Sequence, residues 1–226
     1  MADDMSFDFT TLSEREKYKL LIGAVVPRPI ALVTTIDPRG VINAAPFSFF
    51  NCLSAEPAIL ALGVENHEDL AFKDTARNIR ASGVFTVNIV SDRILQAMNV
   101  CAVPFEPGID ELREAGLTAI AGSKVACPRI AESPAAFECR RHVTLEIGSS
   151  RQIILGEVLA AHIHAALVNE RLHIDPHGLD AIGRMGGHGY ARTRDYFDLP
   201  TMSVSEWERT KRAASREESP SKLNTL

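Results

Sequence analysis

Residues 27–57 read PRPIALVTTIDPRGVINAAPFSFFNCLSAEP, and this stretch says more about the fold than any other part of the chain. An apolar, β-branched run at 30–36 is followed by the turn sequence Asp37-Pro-Arg-Gly40 and by a second run from Val41. Proline at the second position and glycine at the fourth are typical of a β-turn. The stretch therefore predicts a hairpin that joins strands at 30–35 and 41–45.

The second half of this stretch, residues 44–54, alternates small and hydroxyl-bearing residues with three phenylalanines. A core strand normally carries bulky side chains at such positions. Here the small groups leave room for something flat against the backbone, and Ser48, Asn51 and Ser54 could hydrogen-bond its edge. The pattern favours a slot for a planar ligand, although a plain barrel hairpin explains the same residues.

The composition restricts the class of protein. With 226 residues, 46% hydrophobic and 23% charged, the chain is typical of one globular domain with a sizeable core. A net charge of -5 argues against general nucleic-acid binding, and no apolar run approaches the roughly 20 residues that span a bilayer. Since the first residues are acidic, unlike a secretory leader, we expect a cytoplasmic protein. The four cysteines form no CxxC pair, so we expect small buried side chains rather than metal ligands.

Strand patterns dominate the rest of the chain. Strands are predicted at 58–64, 83–90, 117–121, 124–126, 136–147 and 152–165. Helices are predicted at 12–22 with Ser13 as N-cap, at 69–80, from Ser91 as N-cap through Met98, and within 105–116. Many strands joined by short turns predict a mainly β fold, a closed or nearly closed β-barrel with peripheral helices. The regular strand–helix alternation of a parallel α/β sheet is missing.

The composition changes after residue 200. Residues 203–215 predict a charged helix that carries the single tryptophan, Trp207, and 215–222 form a polar, frayed end. We therefore predict a domain at 1–200 and a C-terminal helix with tail at 201–226.

Two further segments could bind a ligand. Lys73, Thr75 and Arg77 cluster near a helix start, where amide groups and the helix dipole favour an anion such as a phosphate monoester. A solvated, charged helix start is the alternative. Four glycines between 183 and 189 bracket Arg184 and His188 and precede Tyr190, a density that lets backbone approach a ligand or another chain. Because the spacing is not GxGxxG, it is no dinucleotide fingerprint, and a mobile surface loop is equally compatible.

Histidines and serines give weaker signals. His142, His162 and His164 could supply three nitrogen ligands to a metal, but no cysteine or acidic ligand stands nearby in sequence, so we predict no metal site. There is no GxSxG elbow, and no serine–histidine pair is singled out.

The ordered set PRPIALVTT…G..N.APFSFFN..S..P, KDT..NI, FTVNIV and GRMGG..Y resembles the flavin reductase-like, FMN-binding split-barrel family. Within that family it is most similar to the flavoredoxin group and to the reductase components of two-component monooxygenases. The likeness covers roughly residues 26–194. It implies a Greek-key split β-barrel that forms a homodimer, with FMN in a groove at the subunit interface.

The resemblance also implies roles for particular residues. The positions that would border the isoalloxazine are Ala45, Pro46, Phe47, Ser48, Asn51 and Cys52. Those that would lie near the ribityl chain are Ser54 and Thr34 or Thr35. Lys73 and Thr75 would hold the 5′-phosphate. Arg184 and Tyr190 would lie beside the flavin, from the same subunit or its partner.

The implied activity is that of an NAD(P)H:flavin oxidoreductase. NAD(P)H would reduce FMN, and reduced flavin would diffuse to a partner oxygenase. Because the isoalloxazine is itself the electrophile, no catalytic acid or base is predicted. Two alternatives stay open: a flavoredoxin-like electron carrier, and a barrel diverted to non-redox chemistry that uses His142, His162 or His188.

Overall fold

The computed structural model describes the backbone of residues 4–217 and the side chains of residues 4–211. The chain divides into two compact units, Met1–Arg194 and Asp195–Leu226. None of the helices within 4–217 is long and apolar enough to cross a lipid bilayer. The predicted domain boundary at residue 200 stays a prediction.

The first unit is built around a seven-stranded sheet with two small accessory sheets. The strands are β1 Arg28–Pro29, β2 Ala31–Ile36, β3 Ile42–Phe47, β4 Phe50–Ala55, β5 Ala58–Glu65, β6 Val84–Ile89, β7 Ala119–Ile120, β8 Arg129–Ile130, β9 Ala135–Ile147, β10 Arg151–Ile163, β11 Ile182–Arg184 and β12 Tyr190–Arg192. The large sheet has the order β3-β2-β6-β9-β10-β5-β4, and all its neighbours are antiparallel. The predicted hairpin is confirmed as β2 and β3.

The two outermost strands of this sheet, β3 and β4, are consecutive in the chain and are separated only by Ser48 and Phe49. Phe47 pairs with Ala31 of β2, and Phe50 pairs with Leu62 of β5. Since so few residues span only about 10 Å, the sheet must curl until its edges nearly meet. The predicted split barrel is therefore confirmed. It is not closed, because its two edge strands are joined only through Ser48 and Phe49. We call β3, this two-residue bend and β4 together the bent strand.

The helices lie around this barrel. They are α1 Glu14–Ala24, α2 Asp74–Ser82, α3 Leu95–Val100, α4 Glu111–Glu114, α5 Pro176–Leu179 and, in the second unit, α6 Val204–Glu217. The predicted capping box of α1 is present, with Ser13 and Glu16 bonding each other's backbone amides. The helix predicted at 203–215 is confirmed as α6. The sequence predicted a frayed end at 215–222. Residues 215–217 are helical instead, and residues 218–222 lie outside the described residues.

Two helix starts were predicted wrongly. Helix α2 begins at Asp74, five residues after the predicted Asp69, because Leu70 has a φ of 67° and the amide of His67 bonds the carbonyl of Ala71 in a preceding turn. Ser91 makes no capping hydrogen bond. It precedes a 3-10 turn and bridges to Ala181 instead.

The predicted strand at 124–126 is also wrong, and the one at 117–121 is reduced to β7. The amides of Ser123, Lys124 and Val125 donate to the carboxylate of Glu138 rather than to a neighbouring strand. A side chain has therefore taken the hydrogen bonds that a β-ladder would need.

Two apolar clusters lie on opposite faces of β2. Ala31 and Val33 face the barrel interior, which α2 enters through Ala76 and Ile79. Leu32 faces outward into a second cluster with α3 and α4. Helix α2, which connects β5 to β6, thus packs into one end of the barrel and fixes the position of its own first turn.

Candidate functional site

A groove lies where the bent strand passes between the two sheet edges. It consists of three neighbouring clefts of about 330, 210 and 260 Å³, all lined by Pro46 and Phe47. Ser48 and Tyr18 belong to the first two clefts, and Lys73 belongs to the first and third. We call these three clefts the groove. Its wall is the small-residue segment at which the two edges of the barrel meet.

Buried hydrogen bonds place Lys73 beside this wall. Asn78 Nδ2 donates to Thr35 Oγ1 (3.0 Å), and Asn43 Nδ2 donates to Thr75 Oγ1 (3.2 Å), so α2 is tied to both strands of the hairpin. Lys73 is the N-cap residue of α2, and no side chain caps the first turn. The ammonium group and the helix-start amides therefore lie on one side of the groove.

Arg28 holds three parts of the groove together. Its guanidinium donates to the carbonyls of Ile22 (2.8 Å) and Val25 (2.7 Å) at the end of α1, and to that of Met185 (3.1 Å) in the glycine-rich loop. Its Nε lies 3.5 Å from Ser48 Oγ. Burial lowers the pKa of Arg28, with a smaller contribution in the same direction from Arg184. An arginine remains charged under such a shift, so Arg28 is a permanent clamp.

Arg184 and Tyr190 form one end of the second cleft. The guanidinium carbon of Arg184 lies 4.4 Å from the centre of the Tyr190 ring, a cation–π contact. Arg184 Nη2 also donates to the carbonyl of Gly187 (2.7 Å), which has a φ of 58°. Pairing of β11 with β12 thus brings the glycine-rich loop to the groove.

A half-buried carboxylate lies in the third cleft. Glu111 Oε2 accepts the amide of Ala44, on the edge strand β3, at 2.9 Å. Burial raises the pKa of Glu111. Its contact satisfies an edge amide that would otherwise face the groove.

The structure brings most of the predicted site residues together. Those that line the groove are Ala45, Pro46, Phe47, Ser48, Lys73, Thr75, Arg184 and Tyr190. They come from the bent strand, the start of α2, and the β11–β12 hairpin, as the sequence motifs indicated.

Thr34 and Thr35, expected near the ribityl chain, do not line the groove. Both are fully buried. Thr34 Oγ1 donates to the carbonyl of Pro128 and accepts from Asn88, while Thr35 Oγ1 accepts from Asn78. Because their hydroxyl groups are used inside the protein, these two threonines have a structural role.

Asn51, Cys52 and Ser54 lie on the exposed strand β4 and line none of these three clefts. Asn51 Oδ1 accepts the amide of Cys52 (2.8 Å), and Ser54 Oγ accepts that of Glu56 (3.2 Å). The other three cysteines are buried as expected, whereas the expectation of burial is wrong for Cys52.

The three histidines considered as metal ligands do not converge. Ala136 is the register partner of His162, so His142 lies six residues, about 20 Å, further along β9. Among the side chains of residues 4–211, no group of three histidine, cysteine or acidic residues could hold a metal ion.

Sequence reasoning did not single out Arg28, which clamps the groove, or Tyr18 and Phe49, which line it. Arg28 stands between two prolines, and a lone arginine at the start of an apolar strand was a usable signal. Tyr18 on α1 and Phe49 in the bend gave none, because only the packing of α1 beside the bend brings their rings to a centroid distance of 6.4 Å.

Comparison with known proteins identifies the family. The model of the flavin reductase like domain matches residues 23–181. The chain belongs to the flavin reductase-like family. An uncharacterized protein of Deinococcus radiodurans is 42% identical over 209 residues, which cover 89% of this chain and 92% of that protein.

Two solved structures agree with this assignment. Nitrilotriacetate monooxygenase component B from Bacillus cereus superposes with a TM-score of 0.85 at 31% identity, covering 88% of this chain and all of that one. The 2-nitrobenzoate 2-nitroreductase NbaA of Pseudomonas fluorescens gives 0.81 at 32% identity, covering 88% and 98%. Membership of the flavin reductase-like family and these neighbours support an oxidoreductase and a flavoprotein.

Proposed function

We propose that this protein is an NAD(P)H-dependent flavin reductase that binds FMN in the groove. The isoalloxazine lies against Pro46, Phe47 and Ser48, and the phosphate lies at Lys73. The observation that carries the proposal is that one continuous groove joins a flat, small-residue wall to an uncompensated cation at a helix start.

The residues present suit this ligand. The Lys73 ammonium has no hydrogen bond or ion pair within the described side chains, so it is available to a phosphate. Arg77, which the sequence pattern placed with Lys73 in a possible phosphate site, forms an ion pair with Asp74 instead. The ring of Phe47 and that of Tyr18 supply apolar surface, and Ser48 supplies a polar contact held by Arg28.

When bound, FMN supplies the hydride acceptor for NAD(P)H. The residues of this chain bind and orient it: Arg28 fixes Ser48, and Phe47 with Pro46 excludes water from one side of the groove. Arg184 and Tyr190 border the end of the second cleft, where they can limit access of a second planar ring. No side chain is required to move a proton.

We also propose that the protein is a homodimer that completes the groove. The outer face beside the bend exposes large apolar side chains, among them Phe49, Leu53, Leu145 and Ile147, at 45–61%. Phe49 and Ile147 also line the first cleft. A second copy covering this face would bury it and bring residues close to the flavin.

The dimer is tested with Leu145→Glu. A charge on a buried apolar interface is costly, so sedimentation equilibrium should show a dimer for the natural chain and a larger monomer fraction for the variant. The exposed control Leu172→Glu, at a loop position that lines none of the clefts, should leave the dimer unchanged. A natural chain that stays monomeric at all concentrations contradicts the proposal.

The central experiment is steady-state oxidation of NADH and NADPH with FMN, FAD or riboflavin added to the purified protein. Turnover that depends on added flavin supports the reductase. Flavin that binds tightly without nicotinamide oxidation indicates an electron carrier, and a protein that binds no flavin overturns the proposal. Delivery to an oxygenase is tested with a reporter enzyme that consumes reduced FMN across a dialysis membrane.

A further inference from the structure

A separate cleft of about 320 Å³, which is not one of the three clefts of the groove, lies on the outer face of the barrel. Strand β8 runs beside the paired ends of β9 and β10 there, where Ala136 faces His162 across the ladder. Strand β10 contributes to both sites near its opposite ends, because residues 151–153 line the first cleft of the groove and residues 161–163 line this one, and the two sites share no residue. We call it the Arg129 cleft.

Arg129 is the charged residue of this cleft, and its charge is uncompensated. Its Nε is buried without a hydrogen-bond partner, and Arg129 takes part in none of the ion pairs among the described side chains. The Nη groups of the same guanidinium are not closed off in this way and make no hydrogen bond with a described residue, so they are the donors open to an acceptor in the cleft.

Glu138, the carboxylate that contacts His162 of this cleft, does not serve as an acceptor for Arg129. Glu138 Oε1 accepts from the Ser123 amide (2.7 Å) and from His162 Nε2 (2.6 Å), and its Oε2 accepts from the amides of Lys124 (2.5 Å) and Val125 (3.0 Å). These contacts use the accepting capacity of both oxygens. Glu138 is completely buried and its ion-pair contact is with His162, so it does not neutralise Arg129 by direct contact.

The remaining walls combine donors with apolar surface. His162 contacts Glu138 through Nε2, and its Nδ1 makes no hydrogen bond with a described residue. His164 lies two positions further on, at the same cleft. Ile130, Ala136 and Ile163 complete the lining with aliphatic groups. A guanidinium beside imidazoles and aliphatic side chains matches a carboxylate attached to a small apolar body.

We propose that the Arg129 cleft binds a small organic carboxylate, at a site separate from the flavin groove. The guanidinium takes the carboxylate, an imidazole of His162 or His164 supplies a further contact, and the aliphatic wall takes the hydrocarbon part. The inference does not depend on the proposed flavin reductase activity, since no groove residue takes part.

Calorimetric titration of the full chain tests it, with benzoate as probe, benzamide as its neutral isostere, and inorganic phosphate as an anion without an apolar body. Saturable benzoate binding is expected, weaker by at least about tenfold for benzamide and for phosphate. Imidazole proton resonances of His162 and His164 should shift with benzoate, and saturating FMN should not displace it.

Arg129→Gln should weaken benzoate binding by at least about tenfold, and Arg129→Lys should weaken it less. Arg15→Gln, which removes the same charge from the exposed side of α1, is the matched control and should bind as the natural chain does. The proposal is overturned by equal binding of benzamide or phosphate, by unchanged binding in a folded Arg129→Gln protein, or by displacement with FMN. The ligand comparison on the natural chain decides even if a variant fails to fold.

Discussion

At the scale of single residues, Arg28 shows how one buried side chain can organise a binding groove. It satisfies carbonyl groups at the end of α1 and in the glycine-rich loop, and its Nε lies beside Ser48. These three segments are distant in sequence. A guanidinium can join them because its donors form a rigid planar fork, which a lysine ammonium does not provide.

We therefore predict that Arg28→Lys keeps the charge but loosens the groove. Carbonyls left without donors should cost about 1–3 kcal/mol in the free energy of unfolding. The FMN dissociation constant, followed by quenching of flavin fluorescence, should rise about tenfold because Ser48 and the loop lose their common anchor. Arg15→Lys, on an exposed helix face, is the control. Unchanged flavin affinity in Arg28→Lys would show that the clamp is purely structural.

Lys73 gives a prediction that separates the phosphate from the ring system. Lys73→Gln should raise the dissociation constant of FMN by about tenfold or more, because a charge-assisted contact is lost. Riboflavin, which has no phosphate, should bind both proteins equally. Lys19→Gln, on the exposed side of α1, should change neither. Equal losses for FMN and riboflavin would place the phosphate elsewhere.

At the scale of elements, the bent strand that contains β3 and β4 decides the architecture. Gly63 of β5 lets the bend approach closely, since its amide donates to the carbonyl of Phe49 at 2.7 Å. A Cβ at this position would lie 2.8 Å from the Cβ of Phe49. The absence of a side chain here is thus a condition for the geometry of the groove.

Gly63→Val should push Phe49 and the bend away from β5. Such overpacking costs about 1–3 kcal/mol, which a lowered unfolding midpoint in urea would show, and flavin binding should weaken in the protein that remains folded. Gly148→Val is not a fair control because its φ is 63°. Gly23→Ala, whose added Cβ meets nothing within 4 Å, serves instead. Normal flavin binding by Gly63→Val would mean that the bend is not the wall of the site.

At the scale of the whole molecule, Glu138 ties the 123–125 loop to the barrel. Burial by itself would raise the pKa of this carboxyl. The amides of Ser123 and Lys124, and the contact with His162, outweigh burial and lower the pKa to about 2 from 4.5. A lowered folded-state pKa stabilises the protein above the unfolded value, and this contribution is lost as the pH falls from about 4.5 toward 2.

Glu138→Gln should therefore lower the free energy of unfolding at pH 7 and flatten its fall in this acid range. Denaturant unfolding at a series of pH values from 7 to about 2 measures both effects. Glu170→Gln, at an exposed loop position, is the control. An acid limb as steep as in the natural chain would assign the effect to other carboxyl groups.

The sequence determined the hairpin, the α1 capping box, the mainly β class and three segments that line the groove. Each of these follows from local patterns: turn residues, alternation, or small residues among phenylalanines. Where the sequence misled, a competing hydrogen bond was responsible. Glu138, more than ten residues away, accepted the amides of a predicted strand, and a local turn around Leu70 moved the start of α2 to Asp74.

Only the tertiary structure decided which residues reach the groove. Thr34 lies on the strand that pairs with β3, and Asn51 lies on the strand that directly follows the bend, yet one is buried against Pro128 and the other lies on an exposed edge. Likewise, Arg28 and Lys73 meet the bend only through the curl of the sheet and the insertion of α2. Local sequence sets the conformation of each segment, whereas the direction of a side chain depends on how strands and helices pack. That packing is fixed by contacts between residues far apart in the chain.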